Sequence, residues 1–297
     1  MPTSAPADLQ RVTVILATFY SSHCIPQLGR CLALFPNVVI IDNASEDDTL
    51  LKVAQHLPHA KFIANKQNRG FGAANNQGVK IADTEFLLLL NPDCIIDPAS
   101  ALALIKSADR HPDASAIGPQ LLGRRGQLDL SYGWTPDSWK PKGAGADADT
   151  CVGFISGACM LIRKNAMVRI NGFDERFFLY QEDTDLCIRL AQQCGALILA
   201  PEARVTHQSR GSSGGRARVK AEYIRGYHHI QSKFLFDQKH HRLQASTWMR
   251  LRYCATAALE AILRIALFDL VRASRALGRV LGAWRYPNDM KIRQVAF

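Results

Sequence analysis

The sequence predicts an α/β protein with a mainly parallel central sheet flanked by helices, followed by a basic helical tail. In the first 120 residues, short apolar strand patterns alternate with helical patterns, and the connections between them are short. The tail differs in charge: residues 1–210 carry 20 basic and 21 acidic side chains, whereas residues 211–297 carry 16 and 5. The tail therefore accounts for the whole formal charge of +10.

The predicted strands and helices of the first half alternate in order. Strands are predicted at residues 12–17, 38–41, 61–64 and 85–90, and the first is a short β-branched apolar run, as expected for a strand buried on both faces of a sheet. The helices follow them at residues 25–34, 47–57, 72–82 and 98–111, with Ser45 or Asp47 available to cap the second. Because ligands bind beyond the carboxyl ends of parallel strands, the polar residues that follow each strand are expected to form a site.

The second half is less regular. Residues 123–150 are rich in Gly, Pro and Asp, which predicts a long mobile loop with a functional role. A strand is predicted at 154–163, a helix at 182–193, and two short strands at 197–199 and 204–206 that run into His207. Beyond Gly211 the pattern is helical and basic.

Several protein classes are excluded by composition. With 47% hydrophobic and 21% charged residues, the 297-residue chain is not disordered. Its eight cysteines form no CxxC pair and no zinc-ligand spacing, which predicts buried free thiols in a reducing cytosol. The N-terminus lacks the basic and apolar regions of a secretory signal, and the longest uncharged stretch, residues 12–29, is too polar to span a bilayer.

Two short motifs follow predicted strands. Asp42, in Asp-Asn-Ala-Ser, can accept a hydrogen bond from the ring N–H of uracil or thymine. Asp93, in Asn-Pro-Asp, can coordinate a divalent cation that bridges phosphate oxygens, with Asn91 contributing through its carbonyl or a water. Each motif is also ordinary turn chemistry, so a purely structural role stays open for both.

Two longer motifs are more specific. Residues 68–75 (NRGFGAAN) combine glycine, a fixed positive charge and a helix N-terminus, which suits a phosphate. An NAD site is excluded because Asn75 stands where a third glycine is needed. Residues 172–186 (GFDERFFLYQEDTDL) place carboxylates among aromatic residues, and Asp183, at a predicted helix start, is expected to be an ionised general base. Glu182 and Asp185 are interpreted as caps or orienting groups.

The order of these motifs resembles a known family. DNAS, NRGFGAAN, LNPD, SGACMLIR, GFDERFFLYQEDTDL and a histidine follow one another as in the inverting, family-2 nucleotide-sugar glycosyltransferases of GT-A fold, especially their bacterial rhamnosyltransferase-like branch. The resemblance covers about residues 12–213. It implies a GT-A domain at 1–213, with a nucleotide-binding half (about 12–120) and an acceptor half (about 121–213), and a separate helical basic tail at 214–297.

The resemblance also implies roles. Asp183 would be the general base, supported by Glu182, and Asp93 would bind Mg²⁺ or Mn²⁺ with His207 as second ligand. The donor site would contain the following residues: Thr18, Asp42, Ser45, Asn68, Arg69, Gly70, Asn75, Asn91 and Arg210. Two departures stand out: Asn91 occupies a place where the family often has aspartate, and Arg210 one where the branch tends to have glycine.

The implied reaction moves a sugar from a nucleotide-sugar donor to a saccharide or lipid-linked saccharide in cell-envelope glycan synthesis, with inversion. The resemblance favours dTDP-L-rhamnose, with UDP-galactofuranose or another UDP-hexose next. Two alternatives stay open: a catalytically silent, nucleotide-sugar-binding scaffold at the membrane, and a sugar nucleotidyltransferase.

The tail predicts a membrane contact. At 100° per residue over 259–284, four arginines fall on one helix face: Arg264, Arg272, Arg275 and Arg279. The opposite face is apolar: Ile262, Ala266, Leu270, Ala273, Leu277, Val280 and Trp284. This pattern is typical of an interfacial helix on an anionic membrane and predicts a cytoplasmic protein, peripheral on the inner face of the plasma membrane. The alternative is a packed helix with a solvated basic face.

Other partners are less favoured. The tail has no aromatic-interleaved basic motif, so no nucleic-acid partner is expected. The pairs His228-His229 and His240-His241 are predicted to be solvated rather than metal-binding, because adjacent histidines on a helix face about 100° apart. The sequence leaves a homo-oligomer open.

Overall fold

Two compact units make up the chain. The computed structural model describes residues 6–130, 132–133, 145–208, 217–241 and 245–286. The first unit contains the described residues up to Gln67, Ala73–Phe173, and those from Asp183 onward through the last strand. The second contains Asn68–Gly72, Asp174–Glu182 and the described residues after 216.

The strands belong to the first unit, and their sequences are mostly apolar. In chain order they are β1 (Val12–Thr18), β2 (Asn37–Asp42), β3 (Lys61–Ala64), β4 (Phe86–Leu90), β5 (Cys94–Ile95), β6 (Ala116–Leu122), β7 (Leu128–Asp129), β8 (Tyr132–Gly133), β9 (Thr150–Val152), β10 (Phe154–Ile155), β11 (Cys159–Arg163) and β12 (Leu197–His207). Within the described residues, β8 and β10 pair separately and the other ten strands form one sheet.

The helices match the predicted ones closely in the first half. A 3-10 helix at Ala7–Arg11 precedes the sheet. The α-helices are α1 (Ile25–Cys31), α2 (Thr49–His56), α3 (Phe71–Ile81), α4 (Pro98–Arg110), α5 (Lys164–Arg169), α6 (Glu182–Gln193), α7 (Ala217–His240), α8 (Thr247–Ala266) and α9 (Leu270–Trp284). Helix α4 shows why the prediction succeeds: Asp97 accepts a hydrogen bond from the Ser100 N–H at 2.7 Å, and Pro98 opens the first turn.

The sheet order is β3-β2-β1-β4-β11-β6-β12-β5. Strand β1 runs parallel to β2 and β4, and β2 runs parallel to β3, which confirms the predicted α/β alternation. Beyond β4 the sheet is mixed, because β11 runs antiparallel to both β4 and β6. Strands β1 and β4 are almost entirely buried, and the core packs around them.

Three predictions about the second half are wrong in detail. The strand predicted at 154–163 is two strands, β10 and β11, separated by residues 156–158. The strands predicted at 197–199 and 204–206 are one strand, β12, whose pairing with β6 shifts between Ala200 and Arg204 because of a bulge-like irregularity. The predicted loop at 123–150 contains β7 and β8, although residues 134–144 lie outside the described residues.

The second unit is built on α7, α8 and α9. Helix α9 lies close against α7: a Cβ on Gly278 would come within 1.9 Å of the Tyr223 carbonyl oxygen, so only glycine fits there. Ile230, Phe234, Ala283 and Tyr286 form a buried apolar cluster of this unit. No helix among the described residues is both long and apolar enough to cross a membrane.

The single amphipathic helix predicted at 259–284 is not observed. The chain breaks between α8 and α9, where Phe268 has a φ of 56° and the Asp269 side chain accepts a hydrogen bond from the Arg272 N–H. Because the break changes the helix axis, the predicted faces do not continue across it. Ala273, assigned to the exposed apolar face, is buried.

The predictions for the cysteines and for the paired histidines are each wrong for one residue. The described cysteines are free thiols, as expected, but Cys151 is exposed rather than buried. The histidine prediction is wrong for His228, which is fully buried and stacks on Phe178 with ring centroids 4.2 Å apart. The basic residues around His228 suggest an exposed helix, but one side of α7 faces the interior of its unit, and His228 is on that side.

Candidate active site

Asp93 and His207 are brought together by strand pairing. Strands β5 and β12 are antiparallel, with His207 opposite Cys94. The Gln208 N–H donates to the Asp93 carbonyl at 2.9 Å. This register places His207 Nε2 3.5 Å from Asp93 Oδ1, with both side chains largely buried. Two residues that are 114 positions apart by their numbers thus form one cluster.

Asp129 joins this cluster, although no sequence motif indicates it. Strand β7 folds back on β6 and places Asp129 Oδ2 3.9 Å from His207 Nδ1. Burial lowers the pKa of His207, but hydrogen bonding and charge attraction from Asp129 and Asp93 outweigh it and raise that pKa to about 9. Asp129 stands in a Gly-rich stretch outside any motif, so only the β6–β7 fold-back reveals it.

The cluster fits a divalent cation. Asp93 Oδ1 and His207 Nε2 are close enough to bind one ion, and carboxylate and imidazole are both suitable ligands for Mn²⁺. Cys94 also lies in the cluster, but its Sγ donates to the Ala158 carbonyl at 3.3 Å. Burial raises the pKa of the Cys94 thiol well above its ordinary value.

Asp183 is held by backbone groups. Its Oδ2 accepts from the Gly157 N–H at 3.1 Å and its Oδ1 from the Thr184 N–H at 2.9 Å. Burial raises the pKa of Asp183, and these hydrogen bonds offset part of that rise. Such a carboxylate has a higher proton affinity than an exposed aspartate, as a general base requires.

Two other acidic side chains of this motif, Asp174 and Asp185, form close ion pairs. Asp174 pairs with Arg176 at 2.5 Å and with Lys239 at 2.7 Å. Asp185 is fully buried and pairs with Arg189 at 2.8 Å. These ion pairs indicate a structural role for Asp174 and Asp185.

Residues 156–158 connect the cation cluster to Asp183. The Asn91 N–H donates to the Ala158 carbonyl at 2.8 Å, in the same turn as Asp93. The adjacent residue, Gly157, donates to Asp183. Gly157 therefore contacts the Asp183 carboxylate while Ala158 contacts the turn that contains Asp93, so two consecutive residues link these groups within the first unit. This is the break between β10 and β11 that the sequence did not predict.

The predicted base-binding turn is a hydrogen-bond network. Asp42 Oδ1 accepts from Thr18 Oγ1 at 2.8 Å and from Ser45 Oγ at 2.6 Å, and its Oδ2 accepts from the Ser45 N–H at 2.8 Å. Ser45 Oγ in turn accepts from the Tyr20 N–H at 2.8 Å. The network holds the loops after β1 and β2 together, and one acceptor position of Asp42 Oδ2 is not used by the described residues.

Helix α3 contributes Asn75 and Asn76. Asn75, a predicted donor residue, is buried. Its neighbour Asn76, which was not predicted, donates to the Phe173 carbonyl at 3.0 Å and accepts from the Phe173 N–H at 2.8 Å. This two-way contact holds the turn that leads into the acidic motif, so Asn76 is a positioning residue.

Within the second unit, residues 68–72 contact the segment 174–182. Asn68 Oδ1 accepts from the Gly70 N–H at 2.9 Å, and Arg69 lies 3.5 Å from Glu175. Gly70 has a φ of +88°, and the Phe71 N–H donates to the Phe178 carbonyl at 3.2 Å. An added Cβ at Gly70 would come within 2.6 Å of the Phe178 carbonyl oxygen, so the close approach of this backbone segment requires glycine.

Gly70→Ala is expected to destabilise the protein by more than Gly126→Ala. Both glycines have positive φ, so each substitution costs about 1 kcal/mol in backbone strain, but nothing lies within 4 Å of a Cβ at Gly126. The added contact at Phe178 should raise the total for Gly70→Ala to about 2–3 kcal/mol. Urea denaturation of the two variants measures the difference, and equal losses would contradict the contact.

The turn before Asp183 is strained and supported by α7. Tyr180 and Gln181 have φ values of 73° and 65°, a conformation that costs non-glycine residues free energy. Ser232 Oγ donates to the Leu179 carbonyl at 2.9 Å and thereby holds this turn from α7. Glu182, which begins α6, is buried. The remaining predicted donor residue, Arg210, lies outside the described residues.

Solved structures define the class of fold. The chain is similar to the mannosyltransferase PcManGT of Pyrobaculum calidifontis, solved with GDP-Man and Mn²⁺, with a TM-score of 0.59, 17% identity, and 92% and 87% of the two chains covered. It is also similar to Staphylococcus aureus TarS 1–349 in complex with UDP-GlcNAc, with a TM-score of 0.56, 16% identity and 90% of each chain covered. These neighbours confirm the predicted GT-A fold.

The family follows from sequence. Residues 13–169 match the model of Glycosyl transferase family 2, and residues 144–285 match that of Glycosyl transferase family group 2. The chain belongs to glycosyl transferase family 2, as the order of its motifs indicated. It is therefore a glycosyltransferase by family.

Two curated relatives come from the predicted branch. The chain is 28% identical over 304 residues to the N-acetylglucosaminyl-diphospho-decaprenol L-rhamnosyltransferase of Mycobacterium tuberculosis (strain ATCC 25618 / H37Rv), with 89% of this chain and 95% of the relative covered. It is 29% identical over 192 residues to Rhamnosyltransferase WbbL of Escherichia coli (strain K12), with 57% and 72% covered. These matches confirm the resemblance to the rhamnosyltransferase branch.

Proposed function

We propose that the protein is an inverting, metal-dependent glycosyltransferase that moves L-rhamnose from dTDP-L-rhamnose to a lipid-linked saccharide in cell-envelope glycan synthesis. One observation carries the proposal: residues 156–158 contact both the turn of Asp93 and the carboxylate of Asp183. The names of the two curated relatives support rhamnose as the sugar, and the mycobacterial one supports a lipid-linked acceptor. UDP-galactofuranose or another UDP-hexose is the next donor to test.

The donor would be held through its diphosphate. Asp93 and His207 would hold Mg²⁺ or Mn²⁺, which neutralises charge on the departing nucleoside diphosphate. Asn91 belongs to the same turn. We assign the nucleobase to Asp42, whose Oδ2 has an acceptor position for a ring N–H, with Thr18 and Ser45 fixing its orientation. The other proposed donor residues are Asn68, Arg69, Gly70, Asn75 and Arg210.

Asp183 would accept the proton of the acceptor hydroxyl. As that oxygen attacks the anomeric carbon, its O–H bond breaks toward the Asp183 carboxylate, and the bond between the anomeric carbon and the diphosphate oxygen breaks on the opposite side. A single displacement of this kind inverts the anomeric centre. Burial shifts the pKa of Asp183 upward, toward neutral pH, and a general base is most effective when its pKa lies near the working pH. Glu182 supports the start of α6.

Asp129→Asn is expected to weaken the pH dependence of stability. Because the pKa of His207 is about 9 in the folded protein and about 6.5 when unfolded, protonated His207 stabilises the fold below pH 6.5. This contribution is lost as the pH rises toward 9, by up to ~1.4 kcal/mol per pH unit. Removing the Asp129 charge lowers the pKa of His207, so the loss should be smaller in the variant.

Urea denaturation in EDTA at pH 6.5, 7.5 and 8.5 measures this effect. Asp113→Asn, at an exposed carboxylate, is the control and should follow the parent protein. NMR titration of the His207 imidazole should show a lower pKa in Asp129→Asn than in the parent protein. An unchanged His207 titration would show that Asp129 does not act on it.

A transfer assay tests the proposed function. The full chain, Mn²⁺ and a lipid-linked saccharide are incubated with dTDP-L-rhamnose, UDP-galactofuranose or UDP-hexoses, and released nucleoside diphosphate is measured. We expect turnover with dTDP-L-rhamnose above the other donors. Donor binding without turnover would favour the scaffold, and consumption of nucleoside triphosphate with release of pyrophosphate would favour the nucleotidyltransferase.

We further propose that the enzyme acts at the inner face of the plasma membrane as a peripheral protein. A lipid-linked acceptor places the reaction at a membrane surface, and the basic residues after 213 favour an anionic one. Our functional division keeps the catalytic domain at 1–213 and the tail at 214–297. A nucleic-acid partner is still not expected, and a homo-oligomer stays open.

A further inference from the structure

The α8–α9 hairpin has an inverted distribution of side chains. Its buried positions are small residues: Ala257, Ala261, Ala273, Ser274, Ala276, Gly278, Gly282 and Ala283. Its large apolar side chains are exposed instead: Trp248, Leu251, Leu259, Ile262, Leu263, Ile265, Leu267, Phe268, Leu270, Leu277 and Trp284. Water-soluble helices show the opposite arrangement, whereas small residues between helices and large apolar residues outside are typical of helices that face lipid.

The exposure is greatest at the turn of the hairpin. Phe268 is 92% exposed and Leu267 is 61% exposed, and the flanking Leu263 and Leu270 are exposed to a similar degree, 58% and 60%. The turn also contains Asp269, whose side chain accepts from the Arg272 N–H and lies 3.4 Å from the Arg272 guanidinium and 3.8 Å from that of Arg264. The one carboxylate of this turn is therefore neutralised within the hairpin.

We propose that this hairpin inserts into one leaflet of an anionic bilayer, with residues 267–269 deepest. This deepens the proposed function, on which it rests, since it names the surface by which the protein would reach the membrane that holds a lipid-linked acceptor. It also replaces the helix face predicted from the sequence, because the break between α8 and α9 turns the apolar residues into a protruding tip. Insertion to a depth of about 5–10 Å is usual for such elements.

Charge favours lipid over protein as the occupant. Residues 245–286 contain seven arginines and two carboxylates, a net charge of +5 that complements anionic headgroups. Arg272, 66% exposed one turn beyond the tip, can extend to the headgroups while its stem stays in apolar surroundings. A second copy of the chain would bring the same positive charge opposite itself. A bilayer can cover all sides of a protruding turn.

Vesicle binding of the full chain tests the proposal. Binding to phosphatidylcholine vesicles with 30% phosphatidylglycerol is compared between the parent protein and the double variant Leu267→Ser/Phe268→Ser. We expect at least ~10-fold weaker binding for the variant, since two large apolar groups no longer enter the bilayer. The matched control is Leu51→Ser/Phe62→Ser, which removes the same two side-chain types at positions 59% and 61% exposed in the first unit.

The control should bind as the parent does, and both variants should keep the parent melting temperature because the replaced side chains are exposed. Equal binding of parent and tip variant would overturn the proposal. Failure of the parent protein to bind vesicles would also overturn it. In that case, a parent dimer that the tip variant dissociates would show that the tip contacts a second copy of the chain instead of lipid. The measurement uses neither donor nor acceptor, so its failure is separate from a failure of the transfer assay.

Discussion

Asp183→Asn is expected to lower kcat by at least ~100-fold, the low end for loss of a general base, while the affinity for the nucleotide-sugar donor stays within a factor of about two to three. Asparagine keeps the size of the side chain but cannot accept the hydroxyl proton. Donor affinity survives because the proposed diphosphate ligands, Asp93 and His207, belong to a separate cluster. Steady-state transfer kinetics and calorimetric donor titration measure the two quantities.

Glu202→Gln is the control for the loss of one negative charge, since the Glu202 side chain is 69% exposed and on β12, away from the motif. It should keep the parent kcat. In Asp183→Asn, the side-chain N–H₂ group faces a backbone N–H group, and two donors that face each other destabilise the fold. The melting temperature of this variant is therefore compared with that of the parent protein. Full activity of a folded Asp183→Asn enzyme would exclude this residue as the base.

Asp93→Asn is expected to abolish tight Mn²⁺ binding and to lower kcat/KM by at least ~100-fold. The amide is a weaker ligand than the carboxylate, and stabilisation of the leaving diphosphate by a divalent ion is worth several kcal/mol. Mn²⁺ binding, followed by electron paramagnetic resonance of the free ion, separates this effect from catalysis. Loss of activity with unchanged Mn²⁺ binding would remove Asp93 from the metal site.

Asp83→Asn provides the matched control. Its side chain is 93% exposed, and it is the same residue type outside the cluster. We expect it to bind Mn²⁺ and turn over as the parent protein does. The two variants together distinguish a local ligand effect from a change in net charge.

The first half of the fold could be predicted because its signals are local. Strands β1 and β4 are largely apolar runs, and α4 is capped within its own sequence by Asp97. The second half depends on contacts far apart in the chain. The antiparallel pairing of β5 with β12 has no local signature, and neither does the break at residues 156–158 that reaches Asp183.

In the candidate site, too, local motifs are predictable from the sequence, whereas contacts between distant residues are not. The order of the motifs predicts roles for Asp93 and Asp183, and the family that this order indicates is confirmed. Asp129 was missed because its role depends on β7 folding back beside His207. His228 was misjudged because helix periodicity alone cannot show that Phe178 stacks on its ring. In each case a tertiary contact, absent from the local sequence, decides the environment.

The anomeric configuration of the product tests the central claim most directly. If a carboxylate deprotonates the acceptor on one side of the sugar while the diphosphate leaves from the other, transfer is a single displacement. ¹H NMR of the glycoside formed from the donor should then show the anomeric configuration opposite to that of the donor. A product with the donor's own configuration would require two displacements and would contradict the assignment of Asp183 as a lone base.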